Sequence, residues 1–101
     1  MKYNKLVRDK IPEIIKKDGK TAKVHFADDK EYDQRLKDKL IEEAMEYAES
    51  GDSEELADLI EVIYAIAIAK GIHKVQLDSI IQKKRGERGA FEKRIILDEV
   101  L

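Results

Sequence analysis

Residues 29–70 carry a helical hydrophobic period that is interrupted once, at Ser50-Gly51-Asp52. Before the interruption Leu36, Leu40, Ala44, Tyr47 and Ala48 recur at helical spacing, and after it Leu59, Val62, Ile63 and Ile66 do the same. Two helices joined by so short a loop lie side by side and antiparallel. The first is predicted to start at a cap formed by Asp28 or Asp29 and to end near Ser50. The second is predicted from about Asp52 to Lys70, with Gly71 as its stop. From Val62 to Ala69 the second helix is apolar on every side, which predicts burial all round, centrally in a bundle or at a subunit interface.

Each of these helices bears an acidic pair three residues apart, Glu43/Glu46 on one and Glu55/Asp58 on the other. Like charges at that spacing face each other and repel. With Leu40 taken as zero on a helical wheel, Glu43 falls at about 60°, Glu46 at about 120°, and Glu42 nearly opposite, in solvent. With Leu59 as zero, Glu55 falls at about −40°, inside the apolar face, and Asp58 at about −100°, on its edge. Carboxylates turned toward a core are costly unless paired or bound to a cation. Four hard oxygen ligands on two adjacent helices fit Mg²⁺, with Mn²⁺ as the alternative ion. The competing reading is a solvated acidic surface, and for Glu55 a capping box with Asp52 as N-cap.

The remaining elements are shorter. Asp9 is a plausible N-cap for a helix with Pro12 in its first turn and Gly19 as its end. Lys74 to Glu87 reads as a fourth helix, with Gly86 and Gly89 as breakers. Lys23–Ala27 is a weak strand candidate that can pair with a second one near residues 93–97. The expected fold is therefore a single all-α domain over residues 1–101: a compact bundle of about four helices with a minor β pairing between about 23–27 and 93–97. Tyr47, Tyr64 and Phe91 are expected in the core, His25 with the strand, and His73 in a loop.

Charge is distributed in three blocks. Residues 1–27 carry a net +5, residues 28–61 a net −10, and residues 62–101 a net +3. An acidic centre between basic ends argues against duplex nucleic acid, which calls for one broad basic face. It favours a cation at the centre and an anionic ligand such as a polyphosphate held from the ends. Lys83, Lys84, Arg85 and Arg88 cluster at a helix end, where they can reach phosphate oxygens or simply complement the helix dipole. Lys5, Arg8 and Lys10 near the start carry the same two readings. The chain has no cysteine, which excludes disulfides and thiolate metal sites and fits a reducing cytoplasm. Its longest apolar run, Val62–Ala69, is too short to span a bilayer, and the N-terminus lacks a signal-peptide apolar core. No Ser/His/Asp triad, phosphate-binding Gly-rich loop or dinucleotide fingerprint occurs.

Glu42-Glu43-x-x-Glu46 followed by Glu55-x-x-Asp58 resembles the signature of the MazG-like, all-α nucleoside triphosphate pyrophosphohydrolases. Asn4-Lys5-Leu6-Val7-Arg8-Asp9-Lys10-Ile11-Pro12, the run from Glu54 to Tyr64, and Arg88-Gly89-Ala90-Phe91 resemble the smaller subgroup called phosphoribosyl-ATP pyrophosphohydrolase-like. The resemblance implies a homodimer or homotetramer in which Glu43, Glu46, Glu55 and Asp58 bind Mg²⁺, with Glu43 and Glu46 also assigned to catalysis. It implies hydrolysis of a nucleoside triphosphate between the α- and β-phosphates, giving a monophosphate and pyrophosphate, in the manner of a house-cleaning enzyme for non-standard nucleotides. Lys84, Arg85, Arg88 and Arg8 would bind the phosphates, from the same or a neighbouring subunit. Two features depart from the family pattern. Only eight residues separate Glu46 from Glu55, and Tyr64 is followed by Ala65 where the histidine-pathway enzymes often carry Tyr-His. The second departure argues against phosphoribosyl-ATP as substrate, which stays the alternative, beside a non-catalytic oligomeric module that binds nucleotide or protein.

Overall fold

A computed structural model describes residues 3–101. The described residues are all-α, with four helices: α1 (Ile11–Lys17), α2 (Asp29–Ser50), α3 (Ser53–Ala69) and α4 (Lys74–Arg88). Helix α2 begins where its cap predicts, because the Asp28 side chain accepts a hydrogen bond from the Glu31 backbone N–H at 2.8 Å. It ends at Gly51, whose φ of 69° is the left-handed conformation that glycine adopts without a Cβ penalty. Helix α1 starts one residue later than the Asp9 cap implies: Lys10 holds the N-cap position and Pro12 fills the first turn. Helix α4 runs through Gly86 and stops at Gly89, so only the second glycine acts as a breaker.

Helices α2 and α3 form the packed part of the molecule. A shallow pocket lined by Asp29, Tyr32 and Leu36 of α2 and by Ile66 and Ala69 of α3 sets the start of one helix against the end of the other, which fixes the antiparallel arrangement. The buried apolar residues, Leu36, Val62 and Ala67, all belong to this pair. Helix α4 touches α3 and makes no contact with α2. None of its residues is buried.

No strand forms among the described residues, so the predicted pairing of 23–27 with 93–97 is absent. Val24 and Phe26 are exposed, and Ile95, Ile96 and Leu97 are too. A two-stranded ribbon with no further layer to pack on is marginal in water, and neither segment has such a layer. His25 instead turns to Glu31, with its Nε2 at 3.0 Å from both carboxylate oxygens. Phe91, expected in the core, is almost fully exposed.

The surface of the single chain is large. Its accessible area is 9602 Å², against about 5,900 Å² for a folded monomer of this mass by the usual scaling. The radius of gyration is 17.8 Å, against about 13 Å for a compact chain of this length. Many large apolar side chains contribute to it. Ile41 and Met45 of α2, Leu56, Ile60 and Ile68 of α3, and Val75, Ile80 and Ile81 of α4 all face outward. The helix predicted to be buried all round is thus only half covered within one chain. Among the described residues no helix is long and apolar enough to cross a membrane.

Candidate metal centre

The acidic pairs meet across the α2–α3 interface near its closed end. One carboxylate oxygen each from Glu43, Glu55 and Asp58 lies within 4.8 Å of the others, and the same holds for Glu42, Glu43 and Glu46. Glu43 belongs to both trios and is the deepest carboxylate of the cluster, at 6% exposure. The heptad-like register that places Leu36 in the interface places Glu43 two turns further along the same stripe. That register explains why a carboxylate rather than an apolar side chain comes to be buried there.

Glu43 Oε1 pairs with Lys39 Nζ at 3.4 Å. Glu43 Oε2 and Glu55 Oε2 are buried and have no hydrogen-bond partner among the described residues. Buried carboxylate oxygens are normally satisfied, so two without partners, on residues whose carboxylates gather at the α2–α3 border, form a donor set that could hold a cation. The electrostatics agree. Burial raises the Glu43 carboxyl above its ordinary value, and the charges of Glu46 and Asp58 raise it further, against the opposing pull of Lys39. The Glu55 carboxyl is raised by burial, then by the Glu46 carboxylate beside it, then by Asp58 and Glu43. A divalent cation would relieve both, since it favours the ionised form that repulsion and burial disfavour. The all-oxygen donor set fits Mg²⁺ or Mn²⁺.

The capping-box alternative for Glu55 does not hold. The Asp52 side chain accepts no cap hydrogen bond, and the Asp52 backbone N–H is taken by Ser50 Oγ at 3.1 Å rather than by Glu55. The Glu55 side chain is therefore free to face Glu43. Glu46, placed on the edge by its position on the wheel, is indeed the exposed member of its trio.

Glu42 departs from expectation. It does not stand apart in solvent but is half-buried, with Lys39 Nζ at 3.7 Å and Lys5 Nζ at 3.2 Å. The wheel treats α2 alone, whereas the segment before α1 covers the face on which Glu42 lies. The same segment brings in Arg8, whose Nη2 donates to Asp58 Oδ1 at 2.6 Å. Among the predicted phosphate ligands, Arg8 is the one the chain brings to the acidic cluster. Lys84, Arg85 and Arg88 are exposed on α4, which does not approach α2, and none of them pairs with a carboxylate among the described residues. No family model, curated protein or solved structure matches the chain.

Proposed function

We propose that the protein is a Mg²⁺-dependent nucleotide pyrophosphohydrolase that cleaves a nucleoside triphosphate between its α- and β-phosphates. The observation that carries the reading is the gathering of carboxylate oxygens of Glu43, Glu55 and Asp58 within 4.8 Å of one another, where Glu43 and Glu55 each also keep a buried oxygen with no partner among the described residues. The resemblance of these residues and of the Asn4–Pro12 segment to the MazG-like pyrophosphohydrolases supplies the reaction. Glu43, Glu55 and Asp58 would hold the ion, with Glu46 at the rim. A bound divalent ion supplies neutralisation of phosphate charge and a lowered pKa for its water. In this reading Glu46, exposed and adjacent to the cluster, would accept a proton from a water at the rim, and Arg8 would meet a phosphate oxygen there.

The functional unit is proposed to be a homo-oligomer, a dimer or tetramer, in the cytoplasm. One chain exposes roughly 3,700 Å² more surface than a compact monomer by the same scaling, more than the roughly 1,000–2,500 Å² per partner of many obligate homodimers, so there is ample surface for a partner copy to cover. The outward apolar residues of α3 and α4 are the surface it would cover. In such an assembly the basic end of α4 is available to a neighbouring copy's site. Ala65 after Tyr64 disfavours phosphoribosyl-ATP as the substrate. A non-catalytic nucleotide-binding module is favoured by one observation, that the basic end of α4 and the acids stand apart within one chain.

Incubating the purified protein with a panel of nucleoside triphosphates and Mg²⁺, and measuring pyrophosphate, tests the reading. Turnover should be Mg²⁺-dependent, and Glu43→Gln and Asp58→Asn should each lower it by about 10²- to 10³-fold, the scale of one lost electrostatic contact in a transition state. Binding without turnover across the panel would favour the module. Unchanged turnover in both variants would overturn the site.

A further inference from the structure

Residues 4–10 lie over the acidic cluster and are fastened to both of its helices. Arg8 Nη2 reaches Asp58 Oδ1 of α3 at 2.6 Å, and Lys5 Nζ reaches Glu42 Oε1 of α2 at 3.2 Å. Arg35 of α2 donates from Nη1 to the Asn4 carbonyl at 2.7 Å, at a residue whose φ of 46° marks a tight local turn. Lys5 and Arg8 of this segment are three residues apart, and each pairs with one carboxylate of a different acidic trio, Glu42 and Asp58. The Oε2 atoms of Glu43 and Glu55 are left without partners among the described residues.

We propose that this segment is a cation-exchange strap. Arg8 is the resident counter-ion of Asp58, a divalent ion takes its place, and the released guanidinium is presented to a phosphate at the same rim. The inference rests on the metal reading above and adds to it a role for a residue that is not a metal ligand. Three properties support it. Asp58 belongs to the trio that can hold an ion, so the guanidinium and the ion compete for one carboxylate. The Arg8–Asp58 pair is solvated on both sides, with side-chain exposures of 57% and 41%, and such pairs are held weakly enough to exchange. The Lys5 and Arg35 contacts keep the strap tethered when Arg8 lets go, so its planar fork remains beside the ion, in the geometry suited to bidentate contact with phosphate.

Titration calorimetry with Mg²⁺ alone, on the full chain, tests the exchange. Arg8→Gln should bind Mg²⁺ about two- to fivefold more tightly than the wild type, the scale of one removed surface ion pair. Lys17→Gln, which removes a charge paired with Glu13 on α1, should leave Mg²⁺ affinity unchanged. The Mg²⁺-loaded Arg8→Gln variant should bind inorganic pyrophosphate about tenfold more weakly, as expected for a lost charge-assisted contact. In the wild type, the Arg8 Nε–Hε resonance should move in step with Mg²⁺ occupancy. Equal or weaker Mg²⁺ binding by Arg8→Gln, or a resonance that does not respond to Mg²⁺, overturns the strap while leaving the metal site standing. Pyrophosphate binding unaffected by the variant overturns the hand-over to phosphate. Failure of the wild type to bind Mg²⁺ at all overturns both the strap and the metal reading.

Discussion

Helices α2 and α3 and the segment from Lys74 onward are built from similar material, mixing Leu, Ile and Val with Lys and Glu, yet they fare differently in one chain. The hairpin contains Leu36, Val62 and Ala67, the buried apolar residues, together with the buried Glu43. From residue 74 to the end nothing is buried, although Val75, Ile80, Ile81, Ile95, Ile96 and Leu97 are all apolar. The difference comes from what each stripe finds to pack on. Gly51 returns α3 directly onto α2, so two apolar stripes meet at small loop-closure cost. The turn after Ala69 delivers α4 alongside an α3 whose inner face is already taken by α2. The hairpin is thus locally self-sufficient, and α4 with its tail presents a surface that another copy of the chain is proposed to cover.

The comparison can be broken at either end. Leu36→Ala opens a cavity in the hairpin at the residue with the lowest exposure, 3%. It should cost about 2–5 kcal/mol of stability, read by chemical denaturation. Ile81→Asp, on the exposed side of α4, should leave the helix content of the hairpin intact. It should weaken self-association by roughly 10- to 100-fold, the value of one apolar side chain's burial, read by sedentation velocity or light scattering across a dilution series. If Ile81→Asp unfolds the hairpin instead, α4 contributes to the fold of its own chain and the division between the two regions is wrong.

The smallest effect concerns pH. The folded-state Glu43 carboxyl is raised above its ordinary value of 4.5, first by burial. The folded state therefore holds a proton that the unfolded state has released, and stability falls as pH rises from about 4.5 through the raised value. Metal-free wild type should lose stability over that window relative to Glu43→Gln, which has no such proton, and saturating Mg²⁺ should reverse the order at neutral pH. Thermal melts at pH 4.5 and 7.5, with and without Mg²⁺, read this directly. A Glu43→Gln variant that tracks the wild type at both pH values would remove the buried carboxylate as a source of strain.

Much of the fold was legible before the structure. The period of 3.6 from Leu36 to Ala48 and from Leu59 to Ile66, the Asp28 cap and the Gly51 turn each rest on residues within a few positions of one another, where local physics governs. The wheel also placed Glu43 and Glu55 toward the core and Glu46 on the edge, as found. It failed for Glu42, because Lys5 and the strap cover a face that looks open when α2 is considered alone. It could not choose Arg8 over Lys10 or Arg88 as the cation beside the acids, since equal charges at different places in the chain carry equal local signals. Lys23–Ala27 and Phe91 were misread for a related reason: their residue types favour strand and core, but neither finds a surface to join.

The sequence by itself determined the four helices, the antiparallel hairpin and the acidic border between its faces. Helix periodicity, capping and a left-handed glycine are settled within a turn or two of chain. Only the tertiary structure decided which carboxylate oxygens lose their partners, that Arg8 rather than a residue of α4 sits on Asp58, and that the apolar side of α4 stays open. Burial and counter-ion choice depend on segments tens of residues apart meeting in space, and Arg8 and Asp58 meet across fifty residues of chain.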